Sequence, residues 1–198
     1  MFLRPATEEK IARLISNAAQ APVPAIPAFL LINYFSTSFD RFLLITTISL
    51  LFASLLPVLV VELWSQMKGL DRDISRREER TAPLLIIIAV YLAGTAILYL
   101  VGAPLLAIIL MFCYFSNTLV VLLITLFWKI SIHSMGVSGP ITALIFVFGV
   151  PGTLPMLILP FVMWSRVYLK KHTVAQVCVG ALLGFVLTAA QFYLLSGL

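Results

Sequence analysis

The sequence predicts an all-α fold: a polytopic transmembrane helical bundle of six or seven spans, at about 20 residues per crossing, with an N-terminal amphipathic helix. Three observations predict it. Of 198 residues, 62% are hydrophobic and 11% charged, where soluble domains carry roughly 45–50% apolar and about 25% charged residues. Long charge-free runs are interrupted by short polar clusters. The tryptophans Trp64, Trp128 and Trp164 each stand just ahead of a cluster, at the interfacial position this side chain favours. A soluble fold of this size leaves about a third of its unfolded surface in water, too much for so apolar a chain. Lipid as solvent removes the conflict. The formal net charge of +5 therefore reads as membrane topology and anionic headgroups, with no nucleic-acid partner.

Residues 1–21 read as an amphipathic segment and residues 22–198 as a single transmembrane domain. In Ala6–Asn17, Ile11, Leu14 and Ile15 share a face opposite Glu8, Glu9 and Arg13. Pro22, Pro24 and Pro27 then break the helix, and they leave no compact apolar core for a cleavable signal peptide. Ala28–Phe39 is apolar but short; a crossing there makes seven spans, a dip makes six. A charge at the bilayer centre costs about 2.5–3.5 kcal/mol, so spans exclude charge. On that basis Phe42–Val61 is one span. Ala82–Trp128 holds two, with a turn at Gly102-Ala103-Pro104. Ser134–Ser165 holds two short helices split at Pro151-Gly152, and Thr173–Leu198 is the last span. Gly180 and Gly184 form a small-xxx-small pair suited to close helix packing. Cys113 and Cys178 lie in apolar runs without a Cys or His at ligand spacing, and read as small fillers.

Three polar clusters interrupt this text: Asp71–Arg80, Lys129–Ser134 and Ser165–His172. Two crossings separate each from the next, and an even number of crossings returns the chain to the same side. All three therefore share one face. Lys68, Arg72, Arg76, Arg77, Arg80, Lys129, Arg166, Lys170 and Lys171 gather there, joined by Arg4, Lys10 and Arg13 if the spans number seven; Arg41 faces the other way. The positive-inside rule places that face in the cytoplasm. Lys170-Lys171 reads as a lipid-facing, snorkelling pair.

Both histidines, His133 and His172, lie in this polar layer with several arginines. That composition suits phosphoryl transfer. The guanidinium fork matches phosphate oxygens, imidazole attacks phosphorus or shuttles a proton near neutral pH, and the following helix N-termini favour an anion.

Ser165-Arg166, five residues, His172, then Gly180–Gly184, resembles the third signature of the type-2 phosphatidic acid phosphatase superfamily: Ser-Arg, five residues, His, three residues, Asp. Ile130–His133 resembles its second signature, Pro-Ser-Gly-His, and Arg80 with Pro83 the end of its first. The resemblance covers about Asp71 to Gly184 and makes 22–198 a phosphatase-like domain. It implies a metal-independent hydrolase without cofactor, acting on a lipid or polyprenyl phosphate, integral to a prokaryotic plasma membrane. Family members work on the outer face, against the charge count. By the same resemblance His172 is the nucleophile and His133 the general acid. Arg166 and Arg80 clamp the phosphate, Ser131 donates to it, and Gln176 orients His172. The chain departs from the pattern at Gln176 for the family's Asp, at Asp73 for its Lys, at Thr81 for Pro and at Ile132 for Gly. Arg72 or Arg76 then takes the place of the missing Lys, and Arg76 joins the phosphate-binding set.

Two other readings stand beside this one. A magnesium-dependent prenyl or phosphatidyl transferase needs carboxylates from two segments, whereas Asp71, Asp73, Glu78 and Glu79 form one cluster. A non-catalytic lipid-binding protein of the same fold accounts for Gln176.

Overall fold

The computed structural model describes residues 6–20, 22–71, 73–74 and 76–197. Arg4, Arg72 and Ser75, and the segment boundary at Ala21, lie outside the described residues. Among those described the chain is all-helical, with no strand. The helices are α1 (Ala6–Ala18), α2 (Ala25–Ser36), α3 (Phe39–Leu50), α4 (Leu56–Lys68), α5 (Thr81–Leu100), α6 (Leu105–Thr125), α7 (Ile132–Phe148), α8 (Ile158–Tyr168) and α9 (Val174–Ser196). Among the described residues, five helical stretches are long and apolar enough to cross a membrane: Phe39–Lys68, Arg77–Leu100, Leu105–Thr125, Val150–Tyr168 and Val174–Ser196. Ala25–Ser36 and Ile132–Phe148 are shorter apolar helices. The outer surface fits such a setting. Phe39, Tyr99, Leu100, Phe127, Val150 and Leu194 all stand exposed, an apolar coat that water would not tolerate on this scale.

Proline and glycine punctuate the bundle for identifiable reasons. α3 and α4 form one continuous rod, joined by a π-turn over Leu51–Leu55. Pro57 follows at the start of α4. Proline lacks an N–H and its ring crowds the carbonyl four residues back, so a widened turn just before it relieves both problems. Between α5 and α6 the chain reverses through Gly102, whose φ of +64° suits glycine. Arg41 closes this end by donating from Nη2 to the Val101 carbonyl. The turn at Gly102–Pro104 and the break after α7 both fall where the sequence places them. The stretch Val150–Leu157, holding Pro151, Gly152 and Pro155, forms a 3-10 helix that leads into α8.

Packing between α7 and α9 carries the polar end of the bundle. A Cβ on Gly180 would meet the Ser131 carbonyl oxygen at 2.6 Å, and one on Gly184 the Met135 carbonyl at 2.9 Å. The small pair is thus used for close approach, as read from sequence. Overpacking costs about 1–3 kcal/mol, so Gly180→Ala is expected to lower the unfolding temperature in detergent. It would also loosen the bond from the Ser131 N–H to the Gln176 carbonyl, 3.3 Å. Deeper in the bundle, Ser116 donates to Gln191 Oε1 (2.7 Å), Gln191 Nε2 to Asn117 Oδ1 (2.9 Å), and Asn117 Nδ2 to Thr188 Oγ1 (3.0 Å). This chain ties α6 to α9 by hydrogen bonds, the interaction that holds helices where burial supplies no drive.

α1 packs along α8 through Ala12, Ile15 and Ser16. Ile11 and Leu14 remain exposed. Tyr168 donates to Glu8 Oε2 at 3.1 Å, fixing the two helices side by side.

Candidate functional site

The three polar clusters meet at one end of the bundle. α4 stops at Gly69, in a left-handed cap, and the loop that follows turns over the ends of α7 and α8. Arg80 holds this loop. Its Nε donates to the Ile74 carbonyl (2.8 Å), Nη2 to that of Asp73 (3.2 Å), and Nη1 crosses to the second cluster at the Ile130 carbonyl (3.2 Å). Ser131 caps α7 and is fully buried; its hydroxyl accepts from the Ser134 N–H (3.3 Å) and the Ser134 hydroxyl (3.0 Å). His133 follows in the first turn of α7.

The five-residue spacing between Arg166 and His172 has a local cause. The chain leaving α8 curls back on its last turn, so that the N–H groups of Lys171 (3.0 Å) and His172 (3.2 Å) both donate to the Arg166 carbonyl. Thr173 and Gln176 then form a reciprocal capping box at the start of α9. Gln176 Oε1 accepts from the Thr173 N–H at 3.2 Å and lies 3.0 Å from His172 Nδ1. A backbone N–H only donates, so the atom facing it is the amide oxygen. An acceptor against Nδ1 places the imidazole proton there and leaves the Nε2 lone pair free.

Burial first, then the Arg80 and Arg166 cations, push the His172 pKa down from 6.5 to about 3. The ring is neutral near neutral pH, as a nucleophile must be. Its stability consequence has a definite sign. The folded value lies below the unfolded one, so unfolding takes up a proton and stability is lost as pH falls through 6.5. At pH 5 this amounts to on the order of 2 kcal/mol for His172. Thermal unfolding in detergent at pH 7 and pH 5 is expected to show that loss, and His172→Gln to reduce it.

At the centre lies Asp73. Its Oδ1 is 2.9 Å from Arg166 Nη2 and 3.9 Å from His133 Nε2, and its Oδ2 is 3.3 Å from Lys171 Nζ. Burial pushes this carboxyl up, but Arg166 foremost, with His133 and Lys171, outweighs it and holds the pKa below the ordinary value. Lys171 also reaches Asp71 Oδ2 at 2.6 Å, and Lys129 donates to the Lys171 carbonyl at 2.9 Å. Burial, then the neighbouring cations, lower the Lys129 pKa. Arg166 is 1% exposed; its Nη1 donates to the Ser16 hydroxyl of α1. Among the described residues, Arg166 Nε and His133 Nε2 are buried without a hydrogen-bond partner.

Two cavities adjoin this cluster. An inner one of about 150 Å³ is mostly apolar. Asp73, Arg80, His133 and His172 line its polar end, and it runs between α5, α6 and α7 to Tyr91, Leu110 and Tyr114. Along α5 alone, Arg80 to Tyr91 spans roughly 16 Å at the helical rise. An outer, polar cavity of about 210 Å³ is lined by Arg13, Ser16, Asn17, Asp71, Leu169 and Lys171. Asp73 and Gln20 belong to the walls of both.

His133, His172, Arg166, Arg80 and Gln176 thus come together as the sequence places them. Others do not. Arg76 is exposed and lines neither cavity. Ser131 lines neither cavity either, and its hydroxyl serves the helix cap. Arg80 uses three of its five N–H groups on carbonyls, so it is a staple of the backbone first and an anion ligand with the remaining two. Lys171 turns into the site on two carboxylates; it is not a lipid-facing pair with Lys170. Sequence reasoning missed Asp73 as a central residue, treating it as the loss of a lysine. The signal was there: an acid in the most basic cluster is the natural partner for a buried arginine. Among the described residues no three His, Cys, Asp or Glu side chains group as a metal's ligand set. Comparison with protein-family models, with curated proteins and with solved structures finds no match to the chain.

Proposed function

We propose that the chain is a membrane phosphatase that hydrolyses a lipid or isoprenoid phosphate through a phosphohistidine on His172. One observation carries this: a neutral, oriented imidazole, a second histidine and Arg80 line the polar end of an apolar cavity, with Arg166 beside them on Asp73. The apolar cavity suits a hydrocarbon tail, and the polar end suits a phosphate. His172 Nε2 attacks phosphorus as the phosphorus–oxygen bond to the alcohol breaks. His133 must enter the step as imidazolium, taking up its second proton as the substrate dianion binds; it gives that proton to the leaving oxygen, then takes one from the water that cleaves the phosphorus–nitrogen bond and frees phosphate. Arg166 and the two spare N–H groups of Arg80 stabilise charge on the equatorial oxygens. Gln176 holds the His172 tautomer as an orienting acceptor.

The same reading places the chain in a prokaryotic plasma membrane with α2 and α7 also inserted. α7 extends about 25 Å and α2 about 18 Å at the helical rise, so α2 reaches through the hydrocarbon only with help from its flanks. Positive residues favour a cytoplasmic site face. Labelling of an Arg76→Cys variant from either side decides it, because Arg76 is exposed.

Phosphate release tests the activity. Purified protein in detergent is offered phosphatidate, phosphatidylglycerol phosphate, and polyprenyl mono- and diphosphates, in EDTA. Release from at least one, absent with His172→Ala, is the expected result. Equal release by both proteins ends the enzymatic reading and leaves a lipid-binding protein, which one observation favours: Asp73 already pairs with Arg166 from within. Release that requires magnesium supports a metal-dependent transferase instead, although Asp71 and Asp73 are held by Lys171 and Arg166.

A further inference from the structure

We infer that Asp73 is an internal anion that occupies the phosphate position and must be displaced for the substrate to bind. This deepens the phosphatase reading and rests on Arg166 being a phosphate ligand. A carboxylate and a phosphate compete for the same guanidinium edge, because both present paired oxygens to it. Asp73 holds one arm of the guanidinium fork now, its Oδ1 2.9 Å from Arg166 Nη2, with Lys171 on its other oxygen and the His133 ring 3.9 Å away, while Nη1 is on Ser16. Two of those groups, Arg166 and His133, are ones that the phosphatase reading puts against the substrate.

Two further observations agree. Arg166 lines neither cavity, although it is the most deeply buried large side chain of the site; the Asp73 carboxylate stands between its Nη2 and the cavities. Asp73 itself, with Gln20, forms the wall shared by the polar and apolar chambers. Swinging it aside exposes Arg166 and joins the two chambers in one movement. The backbone at Asp73 and Ile74 is held in place. Asp73 precedes Ile74, whose φ of +42° is unfavourable for a β-branched residue, and that conformation is held by the Arg80 bonds to the Asp73 and Ile74 carbonyls. The Asp73 side chain can therefore leave while its backbone stays fixed. The device also selects its ligand. A dianion returns more charge to Arg166 and Lys171 than the carboxylate it replaces, whereas a diester headgroup, with one negative charge, does not.

The class of ligand is a phosphate monoester dianion, and inorganic phosphate carries the same chemistry without a tail. Binding of inorganic phosphate and of dodecyl phosphate is measured in detergent by equilibrium binding and by the rise in unfolding temperature. Wild type, Asp73→Asn and Glu78→Gln are compared; Glu78 is an exposed acid of the same loop, and its loss removes the same charge without touching Arg166. If the carboxylate is closed on Arg166 about nine-tenths of the time, its removal tightens phosphate binding about tenfold. Asp73→Asn is expected to bind tighter by that order, and Glu78→Gln to match wild type. A gain in both ligands means that free phosphate enters; a gain in dodecyl phosphate alone means that the tail is required. Unchanged or weaker binding in Asp73→Asn, or an equal gain in Glu78→Gln, overturns the inference. An Asp73→Asn protein that unfolds and is not restored by phosphate also overturns it, since Asp73 is then a structural counter-ion. Tighter binding without hydrolysis leaves the displaced anion standing and removes the phosphatase; hydrolysis without tighter binding does the reverse.

Discussion

His172→Ala is expected to lower phosphate release by about 10⁴-fold or more, the scale on which removal of a covalent nucleophile acts. No neighbour can substitute. Gln176, its hydrogen-bond partner, carries no nucleophilic lone pair of comparable strength, and His133, on α7, is already engaged as the proton carrier. The loss should fall on the turnover rate, measured by phosphate release under saturating lipid phosphate. Binding of the unreacted lipid should persist, because Arg166 and the apolar cavity remain. Loss of both together would point to a collapsed fold and is separated by gel filtration. His172→Gln is the gentler variant, since it retains a polar side chain of moderate size in the pocket.

Arg166→Lys is the second large effect, an expected loss of about 10²–10³ in kcat/KM. Charge is kept, so the change isolates geometry. Lysine presents a point charge on a flexible stem, whereas guanidinium holds a planar fork. Here one arm of that fork donates to Ser16 of α1, and the other faces Asp73. Lysine cannot hold both. Arg166→Ala is the less informative change, because it removes the main partner of the half-buried Asp73 carboxylate and costs stability as well. Steady-state kinetics on Arg166→Lys, beside its unfolding temperature, distinguish a lost phosphate ligand from a weakened fold.

Much of this was legible in the order of residues. Charge is excluded from the hydrocarbon, so Ala82–Trp128 had to hold a helical hairpin, and Gly102 with Pro104 marked its turn. Pairing the charge-free runs put Arg80, His133, Arg166 and His172 at one end of the helices, where they meet. The spacing from Ser165 to Gln176 survives because it follows one local event, the curl off α8 into the cap of α9.

Long-range pairing was not legible. Asp73 against Arg166, and Ser16 against Arg166 across nearly the whole chain, depend on how helices pack and not on any periodicity. Lys171 shows the same limit: sequence makes it a basic residue beside lipid, and only the loop over Asp71 and Asp73 turns it inward. Ser131 and Arg80 were assigned to the ligand when their first duty is to backbone groups. Buried N–H and carbonyl groups need partners whatever else a site does, and a motif does not say which side chain supplies them.

The most direct measurement is to trap the intermediate. Protein is mixed with a lipid substrate labelled at phosphorus and quenched in base, where phosphohistidine survives; the label is then located by peptide mapping. A base-stable, acid-labile phosphoryl group on the peptide holding His172, absent in His172→Ala, is the expected result. Continued phosphate release with no label there, or label that persists in His172→Ala, would contradict the assignment of His172 as the nucleophile.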